Sequence, residues 1–344
     1  MKAAVMHEFG DFDVLKYEDV ATPEPKPGHI LIKVLAAGVN RLDHYLREGS
    51  ITREIALPHV LGSDAVGEVA ELGAGVTGFT LGERVIAVPG YPLEEAHYDI
   101  VPASTAPSFT LPGMGVWGGY AQYLEVPARF AVKDDTGLEP EQLATLPVVL
   151  ATATRALKEV GEVGAGDRVL VQAGASGSGS MQIQVAKALG AEVATTVRDD
   201  AKGAFAAALG ADLVINTRQE DLVERVKEWS GGQGADVVID NLGGAVLAKS
   251  IDAARPGGVI VAFGFAAGPE VSFDVRNLFF HQKQLRGSMA SDIADLNWGL
   301  EQVRAGRIKP SLDRVLPLAQ AAEAHRLVAA NRVSGNIVLL PWAA

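Results

Sequence analysis

The stretch Arg168–Ala191, RVLVQAGASGSGSMQIQVAKALGA, holds the residues whose types and spacing point most directly to chemistry. Val169, Leu170 and Val171 form a short apolar run, as expected of a strand buried on both faces. Gly174, Ser176, Gly177, Ser178 and Gly179 follow at once. Met181, Val185 and Ala188–Leu189 then recur at helical spacing, and Gly190 ends the helix. Strand, glycine turn and helix in that order suit a phosphate group. Glycines let the backbone turn tightly, and the free N–H groups of the helix start hold negative charge. The spacing is G-x-x-G-x-G rather than G-x-G-x-x-G, and a tight turn with no ligand is the alternative reading. A second small-residue cluster, Asn241–Gly244, closes another expected strand.

The elements around this turn read as two architectures. Residues 1 to about 125 are β-rich, with strand runs at Ile30–Leu35, Glu83–Val88 and Trp117–Val126, and glycine and proline punctuating at short intervals. Asn40–Arg47 reads as a short helical turn. Val88–Val116 holds Pro89, Pro92, Pro102, Pro107 and Pro112 and reads as a loop. Glu139–Val160 reads as two helices meeting at Pro147. Strands are then expected at Val169–Gln172, Glu192–Val197, Asp212–Ile215, Val237–Asp240 and Val259–Phe263, with Leu285–Ser288 as a sixth. Helices are expected between them, including Asp200–Leu209 and Glu220–Trp229, then at Asp295–Ala305 and Ala319–Ala330. Such alternation predicts a doubly wound parallel sheet whose ligands bind at the carboxyl ends of its strands. Gly335–Leu340, GNIVLL, is a closing strand expected to return to the first domain.

The whole chain sets bounds. Its 344 residues are enough for two domains, and 48% hydrophobic with 21% charged residues describes a globular protein. The formal net charge of −12 argues against a nucleic-acid or anionic-membrane partner. No apolar run reaches bilayer-spanning length, and the first twenty residues lack a signal-peptide core, so a cytoplasmic location is expected. With no cysteine in the chain, disulfides, thiolate metal sites and a cysteine nucleophile are excluded. His44, His59 and Asp64 match no recognised metal-ligand spacing, and His59 reads as a loop histidine before a buried strand.

At LPHVLGSDAVGEVAELGAGVTGFTLGERV, GGYAQY, AGASGSGSMQIQVAKALGA, GADVVIDNLGG, ARPGGVIVAFG and AAEAHRLVAANRVSGNIVL, the chain resembles the medium-chain dehydrogenase/reductase superfamily. Within it, the zinc-independent quinone oxidoreductase-like branch is the most similar. The resemblance spans essentially the whole chain. It implies an α/β protein with a GroES-like β-barrel catalytic domain, residues 1–125 completed by about 290–344, and a Rossmann domain, 126–289. Zinc members carry a cysteine where this chain has Asn40 and a G-H-E motif where it has Gly62–Ser63–Asp64. The ligands of a catalytic zinc are therefore missing, and no metal is expected. In the metal-free branch Asn40, Asp43 and Tyr45 would line the substrate pocket. Asn40 has the groups to orient a carbonyl, while Asp43 is equally a salt-bridge or helix-cap residue and Tyr45 equally a packing residue.

The resemblance also implies a nicotinamide cofactor. Its position for a ribose-binding carboxylate falls at Val197, followed by Arg198 and, one turn on, Lys202. Arg and Lys would attract the 2′-phosphate of NADP(H), so that cofactor is expected. Asp199 and Asp200 read as a helix N-cap and first-turn charge, or, with a one-residue shift, as the ribose ligand. Thr152, Asn241, Phe263, Phe265 and Ser288 fall at cofactor-contacting positions, as does Asn336, where relatives often carry lysine or arginine. The expected reaction is hydride transfer from NADPH to a quinone or α,β-unsaturated carbonyl, a small electrophilic acceptor. A zinc-free alcohol or aldehyde reductase, an enoyl-thioester reductase and a non-catalytic NADPH-binding protein remain alternatives. The branch further implies a homodimer or homotetramer paired through the edge strand of the Rossmann sheet.

Overall fold

A computed structural model describes residues 1–343, which form two compact units. Unit one comprises Met1–Ala151, Ala290–Leu300 and the chain from Pro310 onward; unit two comprises Thr152–Met289 and Glu301–Lys309. The segment 126–151 therefore packs with the N-terminal β-rich unit.

Unit one begins with the antiparallel strands β1 (Lys2–Met6) and β2 (Leu15–Asp19). The eleven-residue strand β3 (His29–Val39) runs directly into helix α1 (Arg41–Glu48). β4 (His59–Val60) pairs with β1, and β5 (Val66–Leu72) and β6 (Arg84–Ala87) extend the sheet on β3. His59 is thus part of a strand and 4% exposed, rather than a loop residue. The proline-rich segment is also more ordered than its composition predicts. It contains a two-stranded ribbon, β7 (Tyr91–Pro92) with β8 (Phe109–Thr110). Aromatic packing supplies the order: Tyr91 stacks on Phe130 at 5.1 Å, and Tyr98 meets the same ring edge-on at 5.0 Å.

β9 is confined to Tyr123–Pro127, shorter than the expected run from Trp117. Gly118 and Gly119 lie so close to the 60–62 backbone that a Cβ on Gly118 would sit 2.3 Å from Gly62 O. Their N–H groups donate to Val60 O and Gly62 O across this irregular crossing. β10 (Ala131–Lys133) pairs with β6, and two helices follow, α2 (Pro140–Leu143) and α3 (Pro147–Thr154), the latter passing into a π-turn at Arg155–Val160.

Unit two contains six parallel strands: β11 (Arg168–Val171), β12 (Glu192–Val197), β13 (Leu213–Asn216), β14 (Ala235–Asp240), β15 (Ala254–Ala262) and β16 (Gln284–Gly287). Their order is β13-β12-β11-β14-β15-β16, the doubly wound arrangement. The crossovers carry α4 (Gly177–Ala188), α5 (Asp200–Ala208), α6 (Leu222–Trp229), α7 (Gly244–Ala253) and α8 (Val275–Phe280). One face of the sheet, Leu170, Ala194, Ile215, Val238 and Ile260, packs on Leu222 and Val226 of α6 and Leu247 and Ile251 of α7. Val169, Val171, Ile239 and Val261 on the other face are equally buried. Burial on both faces explains the unbroken apolar runs.

α9 (Ile293–Arg304) leads back to unit one, where β17 (Leu312–Pro317), α10 (Ala321–Ala329) and β18 (Asn336–Leu340) complete the β-sheet. β18 pairs antiparallel with β3, placing Ile337 opposite Val39, and parallel with β17. The sequence reading had no strand at 312–317, whose polar Asp313 and Arg314 interrupt the apolar pattern. No described helix is long and apolar enough to cross a membrane.

Candidate active site

In unit two the glycine turn follows β11 as expected. Ser176 caps α4: its Oγ accepts from Gly179 N at 3.0 Å and donates to Ala173 O at 2.8 Å. Gly179 packs so closely that a Cβ would lie 2.2 Å from Ala173 O, and one on Gly174 would lie 2.1 Å from Thr195 Oγ1. Ala173 itself is left-handed, with φ of 55°. The N–H groups of Gly177 and Ser178 have no acceptor among the described residues and point out of the helix start, an anion-binding arrangement.

A buried hydrogen-bond chain holds this turn in register with the neighbouring strand ends. Ala173 N donates to Thr196 Oγ1 at 2.9 Å, and Thr196 Oγ1 donates to Gln172 Oε1 at 2.7 Å. Gln172 Nε2 donates to Ser250 Oγ at 3.0 Å, and Ser250 Oγ donates to Asp240 Oδ2 at 2.6 Å. The other carboxylate oxygen of Asp240 receives Leu242 N and Gly243 N, shaping the turn that carries Asn241. Sequence reading missed this chain; its members lie on three strands and a helix, and no spacing joins them.

Asn241 therefore sits at the carboxyl end of β14, Phe263 and Phe265, both half-buried, follow β15, and Ser288 follows β16. The Asn241 Oδ1 and Ser288 Oγ atoms are buried without a hydrogen-bond partner. Orphaned polar atoms at the ends of the strands, together with the open N–H groups of α4, fit a dinucleotide laid along this edge. Arg198 is exposed immediately after Val197, the last residue of β12, and no described residue bonds its guanidinium. Asp199 caps α5, accepting from Lys202 N at 2.9 Å, and Asp200 accepts from Asn216 Nδ2 at 3.0 Å. Thr152 lies half-buried on α3. Asn336 belongs to unit one, where its Nδ2 approaches Thr145 O at 3.4 Å.

Unit one holds a second polar cluster, built where β3 enters α1. Asn40 is 7% exposed; its Nδ2 donates to Asp64 Oδ2 at 2.7 Å, and its N–H donates to Asp43 Oδ2 at 2.8 Å. Asp43 is fully buried and caps α1. Oδ2 also receives Tyr120 Oη at 3.1 Å, and Oδ1 receives Ser63 N and Oγ. Gly38 makes room for Asp64, since a Cβ there would stand 2.7 Å from Asp64 Oδ2. Tyr45 is half-buried on α1, hydrogen-bonded to Arg41, and burial raises its pKa. Behind Tyr120 lie His325 at 3.3 Å and, beyond it, the fully buried Arg47 at 3.3 Å. Arg47 only donates, so His325 Nδ1 accepts and Nε2–H donates to Tyr120. Burial and the neighbouring Arg47 and His44 push the His325 pKa far down, which keeps the ring neutral. Sequence reasoning missed Tyr120, His325 and Arg47: the first two lie in quoted motifs and Arg47 ends the expected helical turn, but 205 positions separate Tyr120 from His325.

Burial pushes the Asp43 carboxyl up to about 6, against the hydrogen bonds from Asn40, Tyr120 and Ser63. It pushes Asp64 up to about 7, opposed by Asn40 and Val148 N–H and reinforced by the charge of Asp43. Among the described residues no three His, Asp or Glu side chains form a metal-holding group. Asn40 and Ser63, at the positions the resemblance assigns to zinc ligands, each give one hydrogen bond to a carboxylate, Asn40 Nδ2 to Asp64 and Ser63 Oγ to Asp43.

Comparison with known proteins gives the geometry a family. Residues 26–136 match the family described as alcohol dehydrogenase GroES-like domain, and 177–304 match zinc-binding dehydrogenase. The chain is 34% identical to a 2-haloacrylate reductase from Burkholderia sp. over 99% of both chains. It is 30% identical to a quinone oxidoreductase from Pseudomonas aeruginosa over 97% of both. A solved NAD-dependent alcohol dehydrogenase superposes with a TM-score of 0.92 at 34% identity, covering 99% of each chain.

The raised carboxyls yield a pH test. Both groups bind protons more tightly folded than unfolded, so their stabilising contribution is full below about pH 4 and is lost as pH rises through 6 and 7. Asp64→Asn is expected to flatten the fall in urea-unfolding free energy between about pH 4 and 7, at about 1.4 kcal/mol per pKa unit removed. An unchanged slope would contradict the assignment.

With the turn, the strand ends and these relatives together, the chain belongs to the medium-chain dehydrogenase/reductase superfamily and is a pyridine-nucleotide-dependent oxidoreductase of its quinone oxidoreductase-like branch.

Proposed function

We propose that this chain is an NADPH-dependent reductase that delivers hydride to a quinone or an α,β-unsaturated carbonyl without a metal. The observation that carries the reading is the Asn40 amide. One of its N–H groups is fixed on Asp64 and the other has no acceptor among the described residues. A fixed donor of this kind suits an acceptor whose conjugation already makes it electrophilic; ordinary alcohol oxidation gains more from a Lewis acid. The names of the two relatives, one acting on quinones and one on 2-haloacrylate, support the same acceptor class.

Bound NADPH supplies the hydride from C4 of its nicotinamide. Asn40 donates to the acceptor's carbonyl oxygen and so favours the charge that develops there. Asp43 acts as a positioning residue, holding Asn40 through its N–H and clamping Ser63. Tyr45 provides an aromatic wall or a second hydrogen bond. Gly177 and Ser178 N–H take the pyrophosphate, with Gly174, Ser176 and Gly179 setting the turn. Arg198 and Lys202 take the 2′-phosphate, and the capping role of Asp199 supports that choice over a ribose-binding carboxylate. Thr152, Asn241, Phe263, Phe265 and Ser288 contact the remainder, and Asn336 offers a neutral contact where relatives offer a charge.

The reading extends to a homodimer or homotetramer. β16 is one of the two edge strands of the six-stranded sheet, and Phe279, Phe280, Leu285 and Met289 around it are 41–71% exposed. A second copy pairing along β16 would cover both the strand edge and the apolar side chains.

Two measurements follow. With a quinone acceptor, kcat/KM is expected to favour NADPH over NADH, and Arg198→Ala should shrink that preference by one to two orders of magnitude, as loss of a charge-assisted phosphate contact would. An NADH preference in the wild type would overturn the cofactor choice. Light scattering should give two or four chains per particle for wild type and one or two for Leu285→Asp; a wild-type monomer would sink the edge pairing.

A further inference from the structure

At the amino ends of β14, β15 and β16, opposite the strand ends that carry Asn241 and Ser288, unit two has a hollow of about 560 Å³. Three lysines line it: Lys227 from α6, Lys249 from α7, and Lys283, which immediately precedes β16. Lys283 is only 9% exposed. Its ammonium has one acceptor, Ile251 O at 2.6 Å, and no carboxylate ion-pairs with it among the described residues. An ammonium has three donors, and a buried cation normally keeps a counter-charge.

Neither carboxylate at the hollow forms an ion pair with Lys283; Asp252 attracts it through space, and Asp221 faces Lys227 and Lys249. Asp221 spends Oδ1 on the N–H groups of Val223 and Glu224 at the start of α6. Asp252 holds Asn277 Nδ2 at 2.5 Å. Lys227 and Lys249 form no ion pair among the described residues, and His281 completes the rim. Three cations thus face two engaged carboxylates, a local positive excess in a chain of net charge −12. Burial lowers the Lys283 pKa; the charge of Asp252 opposes this and that of Lys227 adds to it.

The geometry points to a second anion site here, one that takes a phosphate-bearing small molecule with its phosphate between Lys283, Lys227 and Lys249. Lysines act as point charges toward phosphate oxygens, and a low-dielectric wall strengthens the contact. The volume accommodates pyrophosphate or a sugar phosphate, and the shared chemistry is the phosphate group.

Calorimetric titration at fixed ionic strength tests it, with inorganic pyrophosphate in one arm and ribose 5-phosphate in the other. Wild type is expected to bind at least one of the two with a Kd below about 1 mM, as several charge-assisted contacts would give. The glycine turn also binds phosphates, so the count is decisive. The double variant Lys227→Gln/Lys249→Gln, altered only at exposed positions, should lose one bound anion per chain or weaken that site at least tenfold. Lys283→Met should do the same. Absence of saturable binding of either anion, or an unchanged isotherm in the double variant, would overturn the site. Loss in the pyrophosphate arm alone would assign the site to free pyrophosphate, and loss in the ester arm alone to phosphate esters.

Discussion

Unit two depends on a run of buried donors that ends on one carboxylate. From Ala173 N through Thr196, Gln172 and Ser250, every hydrogen bond points toward Asp240. Each link lies at the carboxyl end of a strand or on the helix behind it. A buried polar group without a partner costs about 1–3 kcal/mol, so the chain stands or falls as a unit. It fixes where the glycine turn sits against β12 and how the Asp240–Gly243 turn presents Asn241. The left-handed Ala173 is tolerated because its N–H is locked onto Thr196.

Unit one repeats the device with different residues. Arg47 donates to His325, His325 to Tyr120, and Tyr120 to Asp43. Here too the donors converge on a buried carboxylate, and that carboxylate caps the helix on which Tyr45 stands. The cost of burying Asp43 and Asp64 shows in their raised pKa values, and the gain is an Asn40 amide with one orientation. In both units rigid placement of a neutral hydrogen-bonding group is achieved by burying an acid behind it.

Patterns that repeat locally were legible in the sequence. Parallel strands buried on both faces leave continuous apolar runs, so Glu192–Val197 was read to the residue and the glycine turn fell in place. The short helix at Arg41 and the cap at Asp199 were equally readable from local spacing. Three things were not. β17 was hidden by Asp313 and Arg314. The prolines of the 88–116 segment spell a loop, whereas Tyr91 and Tyr98 order it by packing on Phe130, which lies well beyond it in the chain. The two donor chains were invisible because periodicity carries no information about which polar residues meet across strands. Family likeness points to Asn40 and Asp43; Tyr120, His325 and Arg47 come to stand behind them only through the fold.

The central claim is direct hydride delivery to a conjugated acceptor, and isotope transfer tests it most directly. An enone is incubated with NADPH carrying deuterium on one face of C4, then with the opposite isomer, and the product is analysed by mass spectrometry. An enone is the better acceptor for this purpose, since a reduced quinone would hold the label on exchangeable oxygen. The account predicts one deuterium on carbon in the saturated product with one isomer and none with the other. NADPH consumption with unlabelled product from both isomers would contradict it.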